Sequence, residues 1–192
     1  MKKIILIAAA LLIGAGAFAQ PKFAHVNFTE LVQLMPEADQ ARTTLAASSK
    51  EAQETYQSMT EEFNTKYSQY QEKAGTWSAS IRDSKEKELT DIQRRIQEFS
   101  QSVQQELQQQ QEQLMAPIYK KANDKVAELA KAGGYIFVFD RSSILYIDET
   151  QSADLTAAAR KALAIPEDRT LESLQAEISA QQQAGSVGVP AN

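Results

Sequence analysis

The amino-acid sequence predicts a mainly α-helical protein with a small β part, in which a long helical hairpin projects from a body of short strands. Apolar residues recur at heptad spacing over a region of roughly 36–132, which indicates two long amphipathic helices. Short β-rich runs flank this region on both sides. A polar helix pair of that length cannot form a compact core by itself. We therefore expect an arm whose base is fixed by strands.

The N-terminal segment has the three parts of a secretory signal peptide. Two lysines precede an apolar run over residues 4–13, which is too short to span a membrane. The tripeptide Ala17-Phe18-Ala19 then places small residues at the two positions that cleavage requires. We predict a signal peptide over residues 1–19, cleaved after Ala19, and an exported protein. An uncleaved anchor is the alternative.

The mature chain is expected to be acidic and has no cysteine. After removal of the two signal lysines, 18 basic residues remain against 25 acidic ones, which gives a net charge of −7. This charge argues against nucleic acid or an anionic membrane surface as a general partner. Because no disulfide can form, stability must come from packing and from self-association.

The first long helix is predicted to begin at Pro36, because proline is favoured in the first turn and Glu37 and Asp39 complement the helix dipole. Its apolar stripe is unusually aromatic. This stripe either packs against the second helix or forms a partly exposed surface for adaptable contacts with a partner. The candidate partner-binding residues are Tyr56, Met59, Phe63, Tyr67, Tyr70 and Trp77.

A turn is predicted around 75–83, where small and hydroxylated residues weaken helix propensity and Ser80 with Asp83 resembles an N-cap pair. One unbroken rod is the alternative. The second helix carries an aliphatic stripe over 89–129. Pro117 should bend this helix, and Gly133-Gly134 should end it.

The β-rich runs are predicted to associate with other copies of the chain. The first covers 23–28; residues 135–140 and 144–148 should form a hairpin through Arg141-Ser142-Ser143. Both faces of these strands are apolar, and so few strands cannot cover both. Closing a barrel with other subunits would remove the exposed edges. The candidate assembly residues are Phe23, Val26, Phe28, Ile136, Phe137, Val138, Phe139, Leu145 and Ile147.

The C-terminal region is predicted to hold two short helices and a tail. Asp154 can cap a helix over 155–163, which Pro166 stops. Thr170 can cap a second helix with one apolar stripe. From Gln181 the composition predicts disorder. We thus expect a short helix and a disordered tail over residues 166–192.

Patterns that would indicate catalysis are missing from the sequence. The single histidine, His25, has no partners that spacing could place, and we expect a structural or surface role for it. The chain contains no phosphate-binding glycine loop, metal-ligand cluster or serine nucleophile motif. We therefore predict that the protein is not an enzyme and needs no metal or cofactor.

The ordered combination of these features resembles the Skp (OmpH) family of periplasmic chaperones. The similarity spans about residues 22–160, and no single motif in it is decisive. The segments that carry it are Phe23–Phe28, Leu31–Glu37, Ile118–Ala130, Gly133–Asp140, Ile144–Ile147 and Asp154–Thr156.

The resemblance implies a homotrimer in the periplasm. Its body, here 20–35 with 133–165, would be a β-barrel of strands from three subunits. Three arms, each 36–132, would enclose a cavity that holds unfolded outer-membrane proteins without ATP. The alternative is a structural or adaptor coiled coil of the cell envelope.

This chain departs from the best-known members of that family, which are strongly basic. Its acidity argues against a lipopolysaccharide site built from Lys and Arg, and against charge attraction to acidic clients. Basic residues do cluster at Lys85, Lys87, Arg94 and Arg95, but their acidic neighbours favour a solvated face. The segment after Ile165 has no family counterpart that the sequence identifies.

Overall fold

The computed structural model describes residues 21–186 as a long helical hairpin joined to a small sheet. The predicted fold class, mainly α with a small β part, is confirmed. The strands are β1 (Lys22–Val26), β2 (Tyr135–Asp140) and β3 (Ser152–Asp154). The helices are α1 (Phe28–Leu34), α2 (Pro36–Lys73), α3 (Ala79–Gly133), α4 (Thr156–Ala162) and α5 (Leu171–Ser186). The predicted signal peptide lies outside the described residues.

The arm consists of α2 and α3, which have 38 and 55 residues. At 1.5 Å per residue these helices are roughly 57 and 82 Å long. The turn between them excludes the unbroken rod. The cap of α3 is Ser78, whose hydroxyl accepts the N–H of Ile81 at 3.4 Å, and the prediction of Ser80 as the cap was wrong. Ser80 already lies in the first turn of the helix.

The second helix of the arm runs without interruption from Ala79 to Gly133 and contains Pro117. Proline lacks an N–H group, so the carbonyl of Gln113 has no i+4 donor there. The bend at this position stays a prediction. Gly134 ends the helix as expected, because its φ of 70° lies in the left-handed region that glycine adopts without strain.

The sheet is parallel, with strand order β2-β1-β3. The predicted hairpin over 135–148 was therefore wrong. Asp140 accepts the N–H of Ser142 at 3.1 Å and caps a 3₁₀ turn at Arg141–Ser143, so the chain does not fold back along β2. Residues 144–148 are not a strand, and β3 pairs with β1 on its other side.

The first strand ends earlier than predicted, and a helix follows it at once. Asn27 caps α1: its side chain accepts the N–H of Glu30 at 3.2 Å and donates to the Glu30 carboxylate at 3.0 Å. Phe28, predicted as a strand residue, is the first residue of α1. The segment 20–35 is therefore less β-rich than the sequence indicated.

The hydrophobic core lies in the body and at the base of the arm. It combines α1 with the ends of α2 and α3 nearest the body and with both C-terminal helices. Its buried members are Val26, Leu31, Val32, Leu34, Met35, Ala38, Ala41, Ile118, Ala122, Val126, Ala159, Leu163, Ile165 and Leu174. Among the described arm residues outside this cluster, only Ile92 is a buried apolar side chain.

The C-terminal helix α5 is longer than predicted, since it continues through Gln181 to Ser186. Thr170 caps it as expected, accepting the N–H of Ser173 at 3.1 Å. Two arginines fix the segment to the body. Arg160 bridges Glu30, at 2.6 Å, and the carbonyl of Pro166, at 2.9 Å, while Arg169 contacts Asp39 in the first turn of α2 at 2.6 Å.

Ala164 adopts a backbone conformation that favours glycine. Its φ is 56°, and it follows α4 in a turn where the N–H groups of Ala164 and Ile165 reach the carbonyls of Lys161 and Arg160. A non-glycine residue is strained there. We expect Ala164→Gly to raise the free energy of unfolding by about 0.5–1 kcal/mol, measured by urea titration.

The matched control for that substitution is Ala158→Gly, at an exposed position inside α4. It should lower the free energy of unfolding by about 1 kcal/mol, because glycine weakens a helix interior. Equal losses for the two variants would contradict a strained Ala164.

Candidate functional site

The aromatic stripe of the arm lies on α2, except for Trp77, which lies in the turn that follows this helix. None of the stripe residues is buried. Tyr56 and Tyr67 are each 45% exposed. The other candidates, Met59, Phe63, Tyr70 and Trp77, are half-buried, and none belongs to the hydrophobic core.

Four of the six candidates form ring pairs. The rings of Phe63 and Tyr67 stack with centroids 5.8 Å apart, and those of Tyr70 and Trp77 meet edge-on at 6.0 Å. Tyr56 and Met59 do not join these ring pairs. The arm therefore presents a discontinuous aromatic surface, which suits separate contacts with a flexible partner better than a single pocket.

The two helices of the arm are held together by polar contacts near the tip. Lys66 of α2 pairs with Glu88 of α3, and the Tyr70 hydroxyl donates to Glu86. Hydrogen bonds from Lys66 and Lys85 lower the pKa of Glu88 to about 2, so this carboxylate stays charged at neutral pH.

The basic cluster predicted from sequence is largely paired with carboxylates. Lys85 contacts Glu88 at 2.8 Å, and Arg95 contacts Glu62 at 3.3 Å. Arg94 lies between two carboxylates of its own helix, and its hydrogen bonds to Glu98 and Asp91 raise its pKa. Because these basic side chains already have carboxylate partners, much of their positive charge is not available to an anionic ligand.

One apolar face of the sheet is left partly exposed by the elements that the structure describes. Phe23, Phe137 and Phe139 lie together on it, with ring centroids 6.0–6.4 Å apart. Phe137 is 58% exposed and Phe139 44%. We call this surface the open face. It consists of Phe23, Phe137 and Phe139 of the sheet together with Ile144, Tyr146 and Ile147 of the segment between β2 and β3, and it borders a cavity of about 390 Å³.

The nine predicted assembly residues fall into two groups. Val26 is buried in the core, and Phe28 and Val138 pack against that core. Phe23, Phe137, Phe139 and Ile147 belong to the open face, whereas Ile136 and Leu145 are exposed beside it. The second group is available for contact with another molecule, and the first is used within the chain.

His25 lies at the centre of the sheet and is 1% exposed. Its Nδ1 atom is 2.9 Å from the hydroxyl of Ser152, and its Nε2 atom is 3.8 Å from the carboxylate of Asp154. Both partners come from β3, which sequence reasoning missed. The side chain thus links β1 to β3, in agreement with a structural role.

Two kinds of site are not found in the part of the chain that the structure describes. Over residues 21–186, no group of three or more His, Asp or Glu side chains is arranged to hold a metal ion. Within the same residues, no helix is both long and apolar enough to cross a membrane.

Comparison with known proteins identifies the family. The model of the OmpH-like outer membrane protein family matches residues 22–163. The chain belongs to this family. The match includes the whole OmpH-like arm, the sheet and α4, and ends before α5. Helix α5 and Arg169 therefore lie outside the region that matches the family model.

The proteins similar to this OmpH-like chain include one from Yersinia enterocolitica and one from Caulobacter crescentus. The chaperone protein Skp of Yersinia enterocolitica is 28% identical over 140 residues, which cover 73% of this chain and 84% of that protein. The crystal structure of a Caulobacter crescentus protein described as an outer membrane chaperone (OmpH-like) superposes with a TM-score of 0.68 at 15% identity. It covers 80% of this chain and 90% of the other, and shows that the two share a fold.

Proposed function

We propose that this OmpH-like protein is an ATP-independent periplasmic holdase, which binds unfolded outer-membrane proteins between helical arms and prevents their aggregation. The observation that carries the proposal is the long arm with its half-exposed aromatic stripe on α2. Such side chains make many weak contacts with varied partners. The chain is neither an enzyme nor dependent on a cofactor in this proposal.

The proposed assembly is a homotrimer joined through the open face. An uncovered apolar surface of this kind marks a protein interface. The outer edge of β2 is also unpaired within the described residues, because β1 occupies only one of its sides. Other copies of the chain would cover both features, and three arms would then surround a common cavity.

Release of the client follows from the weakness of each contact. Once one contact with a client has formed, contacts on the other arms form at a high effective concentration, so many weak contacts together hold the client. Because each contact is weak, they can break one after another, and the client leaves without ATP. Export by a cleaved signal peptide over residues 1–19 completes the proposal, since it would place the protein where unfolded outer-membrane proteins pass.

The proposal is tested by light scattering. An outer-membrane β-barrel protein unfolded in urea is diluted into buffer without ATP, with or without one trimer equivalent of this protein. We expect the trimer to suppress aggregation. A coiled coil that only spaces envelope components would leave aggregation unchanged, and that result would refute the holdase.

Replacing Tyr56, Phe63 and Tyr70 by Ser is expected to weaken the suppression of aggregation. The variant removes three aromatic contact surfaces from the arm, none of which is buried in the core. Light scattering against the wild type measures the effect. Circular dichroism and solution mass should stay unchanged.

The matched control replaces three exposed glutamines of the same helix, Gln53, Gln57 and Gln71, by Ser. It should retain the activity of the wild type. A triple aromatic variant that unfolds or dissociates would show that the stripe supports the arm instead of binding clients.

A further inference from the structure

Ion pairs link the two helices of the arm at both ends of the arm, but none links them in the middle among the described residues. Near the tip, Lys66 pairs with Glu88 and Arg95 with Glu62; at the base, Lys121 pairs with Glu37. Over residues 21–186, no other ion pair links α2 to α3. The middle of the arm is therefore the section without an ion pair between the two helices.

A cleft opens between the helices in this middle section. It has a volume of about 380 Å³, within the range of sites that hold small ligands or single side chains. On one side α2 contributes the small residues Ser48 and Ala52. On the other side α3 contributes three half-buried apolar side chains, Phe99, Val103 and Leu107. We call this feature the mid-arm cleft.

The rim of the mid-arm cleft is acidic. Glu51 and Glu106 line it, both are exposed, and neither forms an ion pair with any residue that the structure describes. The sequence of α3 has no Lys or Arg between residues 95 and 120. On α2, Lys50 lies 3.8 Å from Glu54 and is the only basic residue between 42 and 66.

We infer that the mid-arm cleft binds segments of an unfolded polypeptide in which Lys or Arg adjoins an apolar side chain. The apolar side chain enters the cleft against Phe99, Val103 and Leu107, where burial of its surface favours binding. The neighbouring cation then lies beside Glu51 and Glu106. This inference rests on the proposed holdase function and names the part of a client that the arm selects.

Both parts of the site are needed, because each alone is weak. An exposed carboxylate and a cation in water contribute little, and salt screens them. A shallow apolar cleft alone would not distinguish one unfolded segment from another. Together they favour clients with local basic segments, whatever the overall charge of the client.

The test compares two fluorescent peptides, Ser-Arg-Leu-Phe-Arg-Ser and Ser-Glu-Leu-Phe-Glu-Ser, by anisotropy with the full-length protein. We expect the basic peptide to bind more tightly and to lose affinity as salt rises. The double variant Glu51→Gln/Glu106→Gln should bind the basic peptide about fourfold more weakly, since each exposed pair contributes a factor of about two. Its affinity for the acidic peptide should not fall.

Two further variants separate the cleft from the general charge of the arm. Glu61→Gln/Glu72→Gln removes the same charge from exposed positions outside the cleft and should change affinity less than twofold. Ala52→Trp fills the cleft without changing charge and should weaken binding of the basic peptide. Equal affinity for the two peptides, or full affinity in Ala52→Trp with unchanged helicity, would overturn the inference.

The failure of this inference can be told apart from failure of the holdase. If the wild type suppresses aggregation of the unfolded barrel protein but does not prefer the basic peptide, only the mid-arm cleft is refuted. If the wild type does not suppress aggregation, the holdase itself is refuted, whichever peptide binds.

Discussion

Replacing Phe137 and Phe139 together by Asp is expected to convert the assembled protein into monomers. Both side chains are about half exposed on the open face, where they contact each other and Phe23. If other copies cover this face, the new carboxylates would be buried without partners, at a cost of several kcal/mol for each interface. Sedimentation equilibrium of the full-length protein measures the loss.

The monomers should remain folded, because neither phenylalanine belongs to the buried core. The matched control replaces Ile81 on the arm and Leu171 on α5 by Asp, which adds the same charge at apolar residues of similar exposure, 45% and 41%. It should keep the mass of the wild type. A Phe137/Phe139 variant with an unchanged mass would show that the open face is not the interface, and a monomeric wild type would refute the trimer.

The long elements of the fold were predictable because their signals are local and repeated. A heptad pattern sustained over many turns identifies a helix, and single residues mark its ends. Pro36 begins α2 and Gly134 follows α3, both as predicted. Only the cap of α3 was misplaced, because several hydroxylated residues in that turn, Ser78 and Ser80 among them, have similar capping ability.

The sheet was mispredicted because strand pairing depends on distant residues. Segment 144–148 has the composition of a strand, but a strand also needs a partner, and none pairs with it among the described residues. The actual third strand, Ser152–Asp154, is short and polar at both ends, so its composition gives no signal. Its pairing with β1 joins residues more than a hundred positions apart.

Helix α1 was missed although the sequence carries a signal for it. Asn27 followed by Glu30 is a capping pair, and the structure contains both of its hydrogen bonds. Because the residues before Asn27 are β-rich, the predicted strand was extended to Phe28, two residues beyond its actual end at Val26. As a result, the sequence did not reveal that the core of the body is built mainly from helices.

The sequence identifies candidate residues for the site but not their arrangement. A helical stripe shows which side chains share a face, yet the direction of that face depends on how the two helices pack. For this reason the sequence left open whether the stripe on α2 packs against the second helix or forms a partly exposed surface. The mid-arm cleft was not predictable, because it depends on small residues of α2 lying opposite larger ones of α3.

Replacing Leu34 by Ala is expected to lower the free energy of unfolding by about 2–5 kcal/mol, because the side chain is fully buried and its removal leaves a cavity. Leu34 belongs to α1, which shares its core with the base of α3 and with both C-terminal helices. Urea unfolding measures the change at one fixed protein concentration, since self-association itself adds stability.

The control for Leu34→Ala is Leu171→Ala, at a position that is 41% exposed on α5. Its effect should stay below about 0.5 kcal/mol. Hydrogen exchange should localise the damage. Amides of α1 and of the α3 base around Ile118 should lose protection, whereas those near the tip, where Lys66 and Glu88 join the helices, should change little. Uniform loss of protection along the arm would instead show that the arm and the body unfold as one unit.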